Sequence, residues 1–177
     1  PKKYLFFALL MQTGARPISI LKLRKIDVSL ENSVLKIQGL KKGKTYEAII
    51  SDSISKALKK KLDEIENNHY VFHPDNPKTD PTKMIQYESM RRQIQPTLEK
   101  IYNQGLPSND RINRVTFYSL RHSFATHLAN NPNISVFDLK NLMGHNTLKM
   151  TDRYTKASFQ EETKNTLKNL FDVDEQK

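Results

Sequence analysis

The segment Thr116–Lys156, TFYSLRHSFATHLANNPNISVFDLKNLMGHNTLKMTDRYTK, alternates helical stripes with short breaks. Phe117, Leu120, Phe124 and Leu128 recur at roughly helical intervals, and Thr116 before them can cap a helix by accepting a free backbone N–H. Asn130-Asn131-Pro132 ends that helix, Ser135 opens another, and Gly144 closes it. His145 therefore stands on a tight corner. Tyr154 follows nine positions later, on or beside a short helix starting near Thr147. Tyr118 and Arg121 lie three apart, which predicts a shared helical face, whereas His122 points about 100° away from Arg121 as a structural hydrogen-bonder.

Upstream, Lys2–Gln12 is apolar enough for a largely buried helix, with Gly14 as its C-terminal cap. Pro17 restricts Arg16 to extended backbone and can itself start the next helix, ISILKLRK. A guanidinium between a glycine cap and a proline-led helix is oriented by its backbone. Val34–Ile37 and Tyr46–Ile50 read as strands joined by the basic turn Gly39–Lys44. Asp52 or Ser53 caps a helix with Ile54, Leu58, Leu62 and Ile65 inward and Lys56, Lys59, Lys60 and Lys61 on a solvated face. Tyr70-Val71-Phe72 reads as a short strand. A helix over Lys83–Asn103 follows, bent or interrupted by Pro96, with Arg91 and Arg92 as phosphate contacts that carry no motif. Ser158 caps a last amphipathic helix reaching Phe171, ahead of a polar tail. The fold class expected is α+β, mainly α-helical, with a small antiparallel sheet.

Lys and Arg outnumber Asp and Glu by 29 to 19 in 177 residues, a net charge of +10. That excess suits a polyanion, with nucleic acid a better partner than a membrane because no apolar run approaches the ~18 residues of a span. Cysteine is absent, which excludes disulfides and thiolate metal sites. No histidine pair has the spacing or the carboxylate partner of a familiar zinc motif, so neither metal nor other cofactor is expected.

Arg121-His122, Leu142-Met143-Gly144-His145 and Tyr154-Thr155-Lys156 together resemble the catalytic domain of the tyrosine recombinases, the phage integrases and Xer-type resolvases. That family reads H-x-x-R-H, then L-G-H, then a nucleophilic tyrosine. Thr13–Leu21 is similar to its first catalytic-arginine segment, so the likeness runs from Thr13 to Lys156. One position departs: Tyr118 stands where the family has its first histidine.

The resemblance implies that Arg16, Arg121 and His145 hold a DNA phosphate while Tyr154 attacks it, forming a phosphotyrosyl bond that needs no ATP or metal for rejoining. Two arginines answer the chemistry, since each stays charged and donates two parallel hydrogen bonds to phosphate oxygens. The hairpin lysine that protonates the leaving oxygen aligns best with Lys41, while Lys42 and Lys44 remain open. Tyr118 keeps a hydroxyl for phosphate but is a poor general base at neutral pH, leaving the base to His145, the phosphate or water. Lys42, Lys44, Arg91, Arg92 and His122 are expected along the DNA backbone.

By the same likeness, residues 1–177 form a catalytic domain whose N-terminal DNA-clamping domain is not in this chain, and residues 158–177 either are exchanged between subunits or fold back on their own core. The expected partners are double-stranded DNA with specific sites and three further copies of the chain. The expected setting is the bacterial cytoplasm and nucleoid. Thr13–Pro17 and the Tyr118 departure favour integration or excision of a mobile element over chromosome dimer resolution. Type IB topoisomerase-like relaxation would need no paired sites, and a decayed DNA-binding module would form no covalent adduct.

Overall fold

The computed structural model describes residues 2–39, 44–74, 76, 78–80 and 82–154. Lys41, Lys42 and the C-terminal helix expected after Ser158 lie outside the described residues. The helices are α1 (Lys2–Thr13), α2 (Pro17–Leu21), α3 (Asp52–Leu62), α4 (Tyr87–Tyr102), α5 (Phe117–Ala129) and α6 (Val136–Leu142). A further helix begins at 149 and is described as far as 154. The strands β1 (Val28–Ser29), β2 (Val34–Gln38) and β3 (Thr45–Ile49) form one antiparallel sheet in the order β1-β2-β3. The expected mainly helical α+β architecture is the one observed. Among the described residues no helix is long and apolar enough to cross a membrane.

The axle is α1. Its Leu5, Phe6, Leu9 and Leu10 are buried, and the helix packs against α2, α3, α4, α5 and β3. A helix apolar on nearly every side can be satisfied only by such encirclement. Phe6 meets Phe72 and Phe117 edge-on, with ring centroids 5.5 and 5.7 Å apart, so the same side chain ties the start of α5 to the core. In the hairpin, Leu35 and Ile37 face inward while Lys36 and Gln38 face out. Ala48 lies opposite Leu35, and Tyr46 opposite Ile37. Period-two alternation therefore turns Tyr46 toward the protein side of the sheet.

Helix α5 is pinned at its start. Thr116 accepts the N–H of Ser119 and Ser119 returns a bond to the N–H of Thr116, a reciprocal cap. Before it, the buried Asn103 at the end of α4 accepts the N–H of Val115 at 2.7 Å and donates to its carbonyl at 3.1 Å. Such bonds contribute about 1 kcal/mol each and fix where α5 enters the core. Ser135 caps α6 in the same reciprocal way with Asp138.

Four local expectations are corrected. Helix α3 has Ser51 at its cap, not Asp52 or Ser53, because Asp52 already occupies the first turn. Tyr70 to Phe72 makes no strand, only a single bridge between Tyr70 and Arg24. The helix expected from Lys83 starts at Tyr87, since Ile85 first returns its N–H to the carbonyl of Phe72. Helix α2 ends at Leu21 and gives way to a 3-10 turn at Lys25–Asp27, where Asp27 accepts the N–H of Arg24.

Candidate active site

Arg16 is placed by backbone on both sides. Thr13 donates its hydroxyl to Leu9 and accepts the N–H of Ala15, while the Arg16 carbonyl accepts from Ser19 and Ile20 in the first turn of α2. Between them Gly14 adopts φ +57, and a Cβ there would stand 2.2 Å from the ring of Phe124. Glycine is needed for both the left-handed backbone and the close approach of α5.

Arg121 is 5% exposed, unusual for a charge. Its Nη1 donates to the carbonyl of Gly14, and its Nη2 donates to the carbonyl of Met143 at 2.8 Å and to Nε2 of His145 at 2.9 Å. A buried guanidinium is tolerated because carbonyls replace its hydration. One side chain thus joins the turn after α1, helix α5 and the corner after α6. Burial and the neighbouring Arg16 both press its pKa down, yet an arginine remains charged.

Arg121 can only donate, so Nε2 of His145 accepts and the imidazole is neutral with its proton on Nδ1. Nδ1 then donates to the hydroxyl of Thr151, 2.9 Å away. Burial, followed by the charges of Arg121, Arg16 and Arg153, lowers the His145 pKa to about 4. Gly144 before it has φ +59, and a Cβ there would stand 2.5 Å from the ring of Tyr46. The corner exists because a backbone without a side chain can lie on that ring. Burial raises the pKa of Tyr46, opposed by Arg121 and Arg16, so its phenol stays protonated at neutral pH.

A cleft of about 440 Å³ opens here, lined by Arg16, Lys44, Tyr46, Lys140, Gly144 and His145 among others, with no carboxylate among the described residues that line it. Arg121 stands behind Tyr46 and His145. No Asp or Glu figures among the charges acting on Arg121 or His145. Clustered cations without counter-charges, in a concave site, suit an anion with several oxygens.

Tyr154 is 9% exposed and packs in a second apolar cluster with Ala125, Leu139 and Met143. Its hydroxyl lies 2.9 Å from Nδ1 of His122, and the Arg153 guanidinium sits 4.8 Å above its ring. It does not line the cleft, although it is close enough to Arg121 to act on that charge.

The shared face expected for Tyr118 and Arg121 is not observed. Arg121 reaches inward, whereas Tyr118 is half exposed in a separate groove with Ser119, His122 and Arg114. Three residues on a helix leave about 60° between side chains, enough to send one into the core and the other to its edge. His122, four residues after Tyr118, shares the Tyr118 face. Arg91 is paired with Glu88 at 3.2 Å, and neither Arg91 nor Arg92 lines the cleft or the groove. Lys44, exposed at the hairpin base, does line the cleft, and its carbonyl accepts from Gly39 at 2.7 Å.

Sequence reasoning passed over Tyr46 and Thr151. Tyr46 was accessible from alternation, since it shares a face with Ala48 and Ile50. Thr151 carries no such signal; only the fold brings it to His145.

The chain matches the model of the phage integrase family over residues 2–161. It is 28% identical to the tyrosine recombinase XerA of Thermococcus onnurineus over 155 residues, which are 87% of this chain and 50% of that protein. The fold superposes on the crystal structure of XerA recombinase with a TM-score of 0.67 at 23% identity, covering 92% of this chain and 57% of the other. The Tn1549 transposon integrase in complex with a circular intermediate DNA gives 0.66 at 20% identity, covering 93% and 58%. The chain spans about half the length of the curated relatives it matches. On the family match along nearly its whole length, this chain belongs to the phage integrase family.

Proposed function

We propose that this chain is the catalytic domain of a site-specific DNA recombinase, cleaving and rejoining strands through a 3′-phosphotyrosine at Tyr154. The observation that carries the reading is the cleft where Arg16 and His145 meet, with Arg121 behind them and no carboxylate among its described lining residues. A scissile phosphate in that cleft takes hydrogen bonds from Arg16 and Arg121, whose charges oppose the negative charge that grows in the transition state. Its arrival also raises the proton affinity of His145, which then donates to a phosphate oxygen.

Tyr154 attacks phosphorus, and the hairpin lysine, Lys41 in preference to Lys42 or Lys44, protonates the leaving 5′ oxygen. Tyr118 contacts the DNA backbone from the neighbouring groove. The partner is duplex DNA carrying specific sites, and exchange between two duplexes calls for four copies of the chain. The likeness to a transposon integrase and to Xer recombinases supports recombination without separating a mobile element from dimer resolution. A mobile element is the reading the Thr13–Pro17 segment favours.

The test is incubation with nicked duplexes of random sequence, followed by denaturing capture of protein-linked DNA. A covalent adduct that is enriched in particular sequences is expected. Non-covalent binding alone would overturn the assignment in favour of a decayed module, and relaxation of supercoiled DNA without site preference would favour a topoisomerase.

A further inference from the structure

The step without an assigned group is removal of the Tyr154 proton. Tyr118, where the family has a histidine, is half exposed in the groove, and the Tyr154 hydroxyl bonds to His122 instead. Both nitrogens of His145 are engaged, Nε2 by Arg121 and Nδ1 by Thr151. His122 alone among the described histidines touches the phenol, with Nδ1 at 2.9 Å from Oη.

We propose that His122 is the general base for Tyr154, supplying from one helical turn later the function that position 118 lacks. The proposal rests on Tyr154 being the nucleophile. The phenol reaches His122 from the helix begun at 149, and the two rings are tilted at 48° with centroids 5.7 Å apart. His122 itself is exposed, so DNA can approach the pair. The charged and titratable groups that share its groove or act on it are Tyr118, Arg121 and His127 on α5, Arg153 and Tyr154 on the facing helix, which also carries Asp152, and Arg111 and Arg114 ahead of α5. Partial burial, followed by the charges of Arg153 and Arg121, holds the imidazole pKa below its usual range. His122 is therefore neutral at pH 7 and free to accept.

In the step, the Oη–H bond breaks and its proton passes to Nδ1 of His122 as the Oη–P bond forms. The P–O5′ bond breaks, and the leaving oxygen takes a proton from the hairpin lysine. The imidazolium so formed beside the phosphoryl group also opposes its negative charge. On rejoining, His122 returns the proton to Tyr154.

The test uses His122→Asn, which keeps an acceptor near the Nδ1 position but cannot take the proton. Cleavage is followed in single turnover on a nicked duplex captured with the wild-type chain. The variant should fold and, at saturating protein, still form the DNA complex, yet cleave about a hundredfold or more slowly at pH 7. Wild-type cleavage should fall on acidification below the usual imidazole range, and the variant should lose that limb and gain rate steadily toward alkaline pH. Independently of DNA, nitrogen NMR should show His122 neutral with its proton on Nε2, and Tyr154→Phe should shift the Nδ1 signal. Wild-type cleavage by His122→Asn, an unchanged acid limb, or a proton resident on Nδ1 would each overturn the proposal while leaving Tyr154 as nucleophile. No adduct from the wild-type chain on any DNA would instead remove the reading on which it rests.

Discussion

Arg121 donates to His145 across 2.9 Å, and that one bond sets the state of the imidazole before any DNA arrives. A guanidinium has no lone pair to offer, so His145 must be the acceptor and stay unprotonated. In the proposed reaction both side chains donate to phosphate, and here one satisfies the other until an anion competes for both.

This pairing has a pH signature. The folded-state pKa of His145 is about 4, below the 6.5 of an unperturbed imidazole, so the unfolded chain binds the proton more readily. The stability contributed by neutral His145 is fully present above pH 6.5 and is lost as pH falls from 6.5 toward 4. The two values bound the effect at about 3 kcal/mol. Urea unfolding of wild type and His145→Gln should show curves whose separation narrows over that window. A constant separation would mean that His145 takes up its proton over the same pH range folded and unfolded.

Gly144→Ala should destabilise more than Gly105→Ala. Both glycines have positive φ, +59 and +78, costing about 1–2 kcal/mol for an alanine. Only Gly144 has a ring 2.5 Å from the added Cβ, whereas nothing lies within 4 Å of Gly105. Overpacking should add roughly 1–3 kcal/mol at Gly144, readable as a larger loss of unfolding free energy. Equal losses would mean that the Tyr46 ring yields freely.

Much of this was readable in the chain. The apolar run of α1, the glycine and proline around Arg16, the Thr116 cap and the alternation in β2 are local patterns, and each produced the element expected. The Asp52 cap and the Tyr70 strand failed because neighbouring serines offer equivalent caps and three apolar residues satisfy a strand or a buried loop equally. Tyr118 and Arg121 separated because spacing gives an angle, not a reach. The His122–Tyr154 and His145–Thr151 contacts depend on how α5, α6 and the following helix pack, which no local pattern encodes.

Tyr118→Phe should slow cleavage by less than about tenfold, while Arg121→Ala should cost about a hundredfold or more. The phenol of Tyr118 is half exposed outside the cleft, whereas Arg121 is buried behind it. Single-turnover rates on one captured duplex make the comparison. A Tyr118→Phe defect as deep as that of Arg121→Ala would place its hydroxyl on the scissile phosphate.

A substrate with sulfur in place of the 5′ leaving oxygen needs no protonation to depart. It should restore cleavage to Lys41→Ala and leave Arg121→Ala impaired, since the latter loses charge stabilisation. Restoration of Lys44→Ala instead would move the general acid to the lysine that lines the cleft.

The most direct measurement is digestion of the trapped protein–DNA adduct and mass analysis of the linked peptide. The modified residue should be Tyr154, joined to a 3′ phosphate, and Tyr154→Phe should bind DNA but yield no adduct. Linkage at any other residue, or an undiminished adduct from Tyr154→Phe, would contradict the account.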